Sequence, residues 1–159
     1  MRKDFNAVTI ILIVAIIAFI AIFLVIIPNL PQNSTSVRIG DGIYKARLAL
    51  TPADREKGLS GVTSMSDDQA LLMVYPELGK WGIWMKGMKV PIDIVWLDEQ
   101  KKVIYIVKNV TPDESTELVT YEPKDLAKYV LELPAGTVDS KAITTGSAAI
   151  FQIEEGEVE

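Results

Sequence analysis

IDIVWLDEQKKVIYIVK, residues Ile92 to Lys108, reads as two strands joined by the polar turn Glu99-Gln100-Lys101. Each run is rich in β-branched and aromatic residues and is bounded by charge, which is the pattern of strands and not of an amphipathic helix. Both faces of the hairpin are largely apolar, so it is expected to lie centrally in the sheet. The rest of the chain follows suit. Val37–Ile39 and Ile43–Leu50 flank a Gly40-Asp41-Gly42 turn, and Ala70–Tyr75, Gly82–Lys86, Tyr129–Leu133 and Ala148–Ile153 are further short strands. Helical signals are few. Thr51 caps a short helix with Pro52 at its first position and Gly58 at its end. Pro123–Ala127 is expected to form one helical turn, and Thr137–Ala142 a second short helix. The fold class expected is mainly β, a β-rich α+β domain. It comprises a single compact antiparallel, barrel-like or curled sheet with two or three short helices, preceded by one N-terminal transmembrane helix.

That last element is the most apolar part of the chain. From Ala7 to Ile27 there are 21 residues without a charge, and Thr9 is the only polar one. As a helix at 1.5 Å per residue they extend about 31 Å, close to the hydrocarbon thickness of a bilayer. No face of this helix is polar, which argues against a buried core helix. The apolar run exceeds the core of a signal peptide and runs into PNLPQNSTS without a small-residue cleavage site, so it is read as an uncleaved anchor. Arg2 and Lys3 precede it, and the next basic residue is Arg38. The positive-inside rule then places residues 1–6 in the cytoplasm, a membrane helix over 7–27, a linker over 28–36 and an extracytoplasmic β-rich domain over 37–153. Residues 154–159 form an acidic tail. The expected localisation is the cell membrane, single-pass, with the C-terminal domain outside.

Composition excludes more chemistry than it includes. The chain of 159 residues has no Cys and no His. Disulfide scaffolds, thiol nucleophiles, most zinc sites and Ser-His-Asp triads are therefore absent. No metal site and no cofactor is expected. With 16 Lys and Arg against 21 Asp and Glu, the net charge is −5, a poor match for nucleic acid. No phosphate-binding glycine loop or acyl-enzyme serine motif occurs.

Several motifs taken in order resemble a known family. A short Thr51-Pro52 helix ends in Gly58-Leu59. Then come Trp84-Met85-Lys86, Pro91-Ile92-Asp93-Ile94-Val95 with Asp98, and Tyr129-Val130-Leu131-Glu132-Leu133-Pro134-Ala135-Gly136. Together they resemble the domain of unknown function 192 family over about residues 45–152. Two places depart from that family's usual pattern. The chain has Leu59-Ser60-Gly61-Val62 where Leu-Met and an Arg are usual, and Gly87-Met88 where Asn-Thr follows the Trp-Met-Lys. The resemblance implies a small β-rich exported or membrane-tethered domain, and it implies no established activity.

The candidate site residues are charges set in apolar strands. Asp93 shares a strand face with Val95 and Leu97, and Glu132 shares one with Val130. A carboxylate on such a face is costly unless paired or hydrogen-bonded. Lys86 is one possible partner for Asp93. One reading is structural, with these charges satisfying backbone amides and each other. The other is functional: Lys86, Asp93 and Glu132 converge on a cleft lined by Trp81 and Trp84, equipment suited to a polar small molecule or a sugar. The function expected is a membrane-anchored extracytoplasmic binding or accessory domain. Its ligand would be a small polar molecule, a glycan or an envelope protein. The alternatives are a carboxylate-dependent hydrolase of envelope glycans, drawing on Asp93, Asp98 and Glu132, and a structural subunit of a membrane complex.

Overall fold

The computed structural model describes residues 12–13, 15–16, 33–113, 119–153 and 158. The expected membrane span over 7–27 lies almost wholly outside them. So do most of the linker and most of the acidic tail. Among the described residues no helix is long and apolar enough to cross a membrane. The chain divides into two compact units, residues 1–32 and 33–159. The eight strands and both apolar layers found among the described residues lie in the second unit, which therefore contains what it needs to fold by itself.

The second unit is built on a six-stranded sheet in the order β1-β2-β3-β8-β5-β6. Its strands are β1 (Ser34–Ile39), β2 (Gly42–Ala49), β3 (Gln69–Gly79), β5 (Ile92–Leu97), β6 (Val103–Val110) and β8 (Ala127–Pro134). A separate two-stranded ribbon pairs β4 (Ile83–Trp84) with β7 (Thr120–Tyr121). Among the described residues of this unit the helices are α1 (Pro52–Lys57) and α2 (Thr137–Ser140).

The expected elements are present, with corrections. The sheet is mixed. β2 and β3 pair in parallel, because α1 and the loop after it carry the chain over one face of the sheet before it re-enters. No helical turn forms over Pro123–Ala127, where residues 124–125 bend and Ala127 already opens β8. Ser34–Ser36, expected at the end of the linker, belong to β1. The final strand is reduced to two isolated bridges, Arg38 with Ile150 and Lys102 with Ala148. β5 is internal and buried along its whole length, but β6 ends the sheet order.

The sheet is open as a ladder, yet its two edges share one short segment. Ile150 exchanges both backbone hydrogen bonds with Arg38 of β1, at 2.8 and 2.9 Å. On its other side the segment meets the start of β6: Val103 N–H donates to Ser147 O (2.9 Å), and Ala149 N–H donates to Lys101 O (2.8 Å). Edge amides that would otherwise invite another chain are thereby used.

The alternation of strand side chains divides the core into two layers. Leu72, Val74, Val95, Leu97, Leu131 and Leu133 face one side, where α2 and Phe151 cover them. Leu71, Met73, Ile92, Ile94, Trp96 and Val130 face the other, covered by the chain after α1, the β4–β7 ribbon and the segment around Met85 and Met88. The central strands are therefore apolar at nearly every position, as the hairpin sequence required.

Candidate functional site

A cleft of about 440 Å³ opens in the second layer. α1 and the residues following it supply one wall. The Tyr75 end of β3 and residues 81–84 supply another, and Glu132 of β8 is its most buried charged group. Local sequence fixes the first wall. Thr51 Oγ1 accepts the Asp54 N–H at 3.1 Å and its hydroxyl donates to Asp54 Oδ2 at 2.7 Å. Pro52 starts the helix, and Gly58 ends it with its N–H on Asp54 O. Arg55 then ties α1 to the sheet. Its guanidinium donates to Leu50 O and Val74 O and stands 5.0 Å from the centre of the Tyr75 ring. On the second wall Trp81 stacks on Tyr75 with ring centres 4.1 Å apart and planes within 6°. Its Nε1–H donates to Ala127 O at 3.0 Å, and its own carbonyl accepts from Trp96 Nε1 at 2.8 Å. Trp81 is thus held on three sides. Trp84, in the ribbon, is 42% exposed.

Glu132 is the anomaly. It sits opposite Leu71 of β3 and Ile94 of β5, so apolar side chains flank it in the sheet. It is 3% exposed, and among the described residues its Oε2 has no hydrogen-bond partner. Burial pushes its pKa up from 4.5 to about 7, against a smaller downward pull from the Arg47 charge. Arg47 itself donates to Gly58 O. The Tyr75 hydroxyl is pushed up to about 12, chiefly by burial. Arg55 opposes that shift and Glu132 adds to it.

Asp93 is placed elsewhere. It projects into the first layer, on the opposite face of the sheet from Glu132, and is fully buried. Its Oδ2 accepts the Val138 N–H at 2.8 Å. This caps α2, whose N-cap residue Gly136 has no side chain to do so. Its Oδ1 accepts the Asn109 N–H at 2.7 Å. That amide lies where the β5–β6 register shifts and Asn109 turns left-handed (φ 52°), a bulge that leaves one N–H outside the ladder. Asp93 therefore does the backbone-satisfying work of the structural reading. The sequence-selected residues Trp81, Trp84, Lys86 and Glu132 meet at the cleft, and Asp93 does not join them.

The model of the domain of unknown function 192 family, described as an uncharacterized ACR, matches residues 35–151. The chain belongs to this family. A UPF0127 protein of Thermococcus gammatolerans is 28% identical over 125 residues, which cover 77% of this chain and 75% of that protein. Among solved structures, a putative transcription regulator of Sinorhizobium meliloti superposes with a TM-score of 0.69 at 25% identity. The match covers 77% of this chain and 96% of that one. A protein of unknown function from Novosphingobium aromaticivorans shares the fold at a TM-score of 0.67 and 21% identity, covering 74% of this chain and 83% of that one.

In this DUF192 domain the two departures from the usual motif lie side by side. Gly61 N–H donates to Gly87 O at 2.9 Å. Gly87 is left-handed (φ 69°), and a Cβ there would stand 2.4 Å from Ser60 Oγ. Small residues on both loops thus let them close against each other beside the cleft. Arg55, Tyr75 and Met73 complete the site, and sequence reasoning did not select them. Tyr75 and Met73 share a strand face with Glu132 only once the β3–β8 register is known. No three acidic side chains gather as a metal site among the described residues.

Proposed function

We propose that this DUF192 protein is a single-pass membrane-anchored binding module. Its N-terminus is cytoplasmic, its β-rich domain lies outside, and its cleft takes a small polar molecule. The tether rests on the uncharged run Ala7–Ile27 behind Arg2 and Lys3. The binding reading is carried by one observation, the buried Glu132 Oε2 with no donor among the described residues, at the wall of an aromatic cleft. Such an atom costs about 1–3 kcal/mol if nothing meets it, and native proteins leave few of them. A ligand hydroxyl or N–H supplies the missing donor. The cleft's volume falls among small-molecule sites, which run from about 300 to 1,000 Å³.

Hydrolysis by a carboxylate pair draws no support from this arrangement. Asp93 faces away from Glu132, and Asp98 accepts the Lys102 N–H of its own turn. The negative net charge gives no support to a nucleic-acid partner.

Two measurements test the proposal. The chain has no cysteine, so a single Ser64→Cys substitution at an exposed loop position is a clean reporter. A membrane-impermeant maleimide should label it in intact cells. Labelling only after lysis would overturn the orientation. For the cleft, an isotope-labelled domain of residues 33–159 is screened against a fragment library. The Trp84 indole N–H signal should move with a subset of polar fragments, and a library that leaves it fixed would overturn binding there.

A further inference from the structure

The cleft has different chemistry at its two ends. Glu132 sits at the buried end, and its Oε2 has no hydrogen-bond partner among the described residues. The middle is apolar and partly aromatic, with Leu59, Met73, Ile83 and Met88 beside the Trp81 and Trp84 indoles. Methionine side chains adjust their shape to a guest, and indole faces suit a flat one. At the exposed end stand Lys57 and Lys86, which come from different segments. The Lys57 carbonyl accepts the Ser60 N–H, and the Ser60–Gly87 contact brings the loop of Lys86 alongside. Neither lysine has an ion-pair partner among the described residues. Glu56 also lines the cleft, and the Glu122 carboxylate lies beside Gly82 of its wall, while Arg55 is bonded to the Leu50 and Val74 carbonyls of the sheet. Two lysines without an acidic partner among the described residues thus stand at the mouth of a domain that is net negative.

Resting on the binding reading above, we infer that the ligand is a flat organic anion carrying a hydrogen-bond donor at the end opposite its charge. The donor points inward to Glu132, and the anion lies outward between Lys57 and Lys86. A cationic ligand meets like charge at the mouth. A neutral one leaves both lysines unused, and an anion without a donor leaves Glu132 as it is. Only a molecule with both groups satisfies both ends.

Four commercial probes of one shape separate these terms. Indole-3-acetate has the donor and the anion, tryptophol the donor alone, tryptamine the donor with a cation, and 1-naphthaleneacetate the anion alone. Each is titrated into the domain of residues 33–159, and the Trp84 indole N–H signal is followed. Indole-3-acetate should bind about tenfold more tightly than tryptamine, the ratio that 1.4 kcal/mol produces. That gap should narrow as salt is raised. The double variant K57A/K86A should bring indole-3-acetate towards tryptophol. E132L should abolish the preference for indole-3-acetate over 1-naphthaleneacetate. Tryptamine or tryptophol binding as tightly as indole-3-acetate would overturn the anionic class and leave the cleft standing. A preference that survives in E132L would overturn the inward donor. If no probe moves the Trp84 signal at millimolar concentration, this inference fails. If the fragment library also leaves that signal fixed, the binding reading falls with it.

Discussion

Asp93 and Glu132 occupy neighbouring strands, one residue out of register, and point to opposite faces of the same sheet. Asp93 pairs with Leu133, and Glu132 with Ile94. A single step along a strand reverses a side chain, so two acids that look equivalent in sequence have unlike surroundings. One has two backbone amides on its oxygens, and the other has an oxygen with no donor among the described residues.

Removing the charge of Asp93 should therefore damage the fold and not the cleft. Asp93→Asn keeps one acceptor and turns an amide N–H group toward one of the two backbone donors. It should cost about 3–5 kcal/mol, as breaking a buried charged interaction does. In a domain of this size that lowers the melting temperature by on the order of 10 °C or more. Calorimetry checks the first part. Unchanged probe affinity in the surviving folded fraction, at low temperature, checks the second.

Glu132 should make stability depend on pH in the opposite sense to most carboxylates. Its folded pKa, about 7, lies above its ordinary 4.5. Between these values the folded state binds more protons than the unfolded state, so stability falls as pH rises. It is fully present below 4.5 and lost by the time pH has passed 7. The loss should be about 2–3 kcal/mol between pH 5 and pH 8. Urea unfolding at the two pH values reads it, and Glu132→Gln should flatten that difference. A wild-type domain equally stable at both would contradict this picture of Glu132.

The two cleft tryptophans should separate by substitution. Trp81 is stacked on Tyr75 and bonded through its indole N–H, so Trp81→Ala should cost about 3–5 kcal/mol. Trp84 is far more open. Trp84→Ala should change stability by less than about 1 kcal/mol while weakening binding of any probe that stacks there. Equal losses of stability would mean that Trp84 is a core residue.

The segment that joins the sheet edges gives a fourth expectation. The Ile150 side chain is 66% exposed, but its N–H donates to Arg38 O. Ile150→Pro should remove that bond at a cost of about 1–2 kcal/mol and leave the β1 edge open to pairing. Ile150→Ala should be close to neutral. Light scattering and unfolding of the two variants decide it. A monomeric, fully stable proline variant would show that the bridge contributes nothing.

Much of the fold was legible because strands announce themselves locally. The Ile92–Lys108 hairpin, the Thr51-Pro52 helix with its Gly58 stop, and the apolar run ahead of Pro134 are all short-range patterns. Pro123–Ala127 misled because a proline followed by polar residues suits a turn as well as a helix start. β7 has two residues, too few to show a period. The parallel β2–β3 pair left no local mark, since α1 is short and the same strand sequences suit either direction.

The sequence by itself determined which residues are anomalous. Asp93 and Glu132 stand in runs that must be buried, and desolvating a carboxylate is costly wherever those runs end up. Trp81, Trp84 and Lys86 were marked by the same local reasoning. Only the tertiary structure decided where each anomaly lies and what meets it. Strand register and the elements covering each face arise from contacts between residues far apart in the chain. Those contacts brought Asn109 and Val138 to Asp93, and left Glu132 with the cleft.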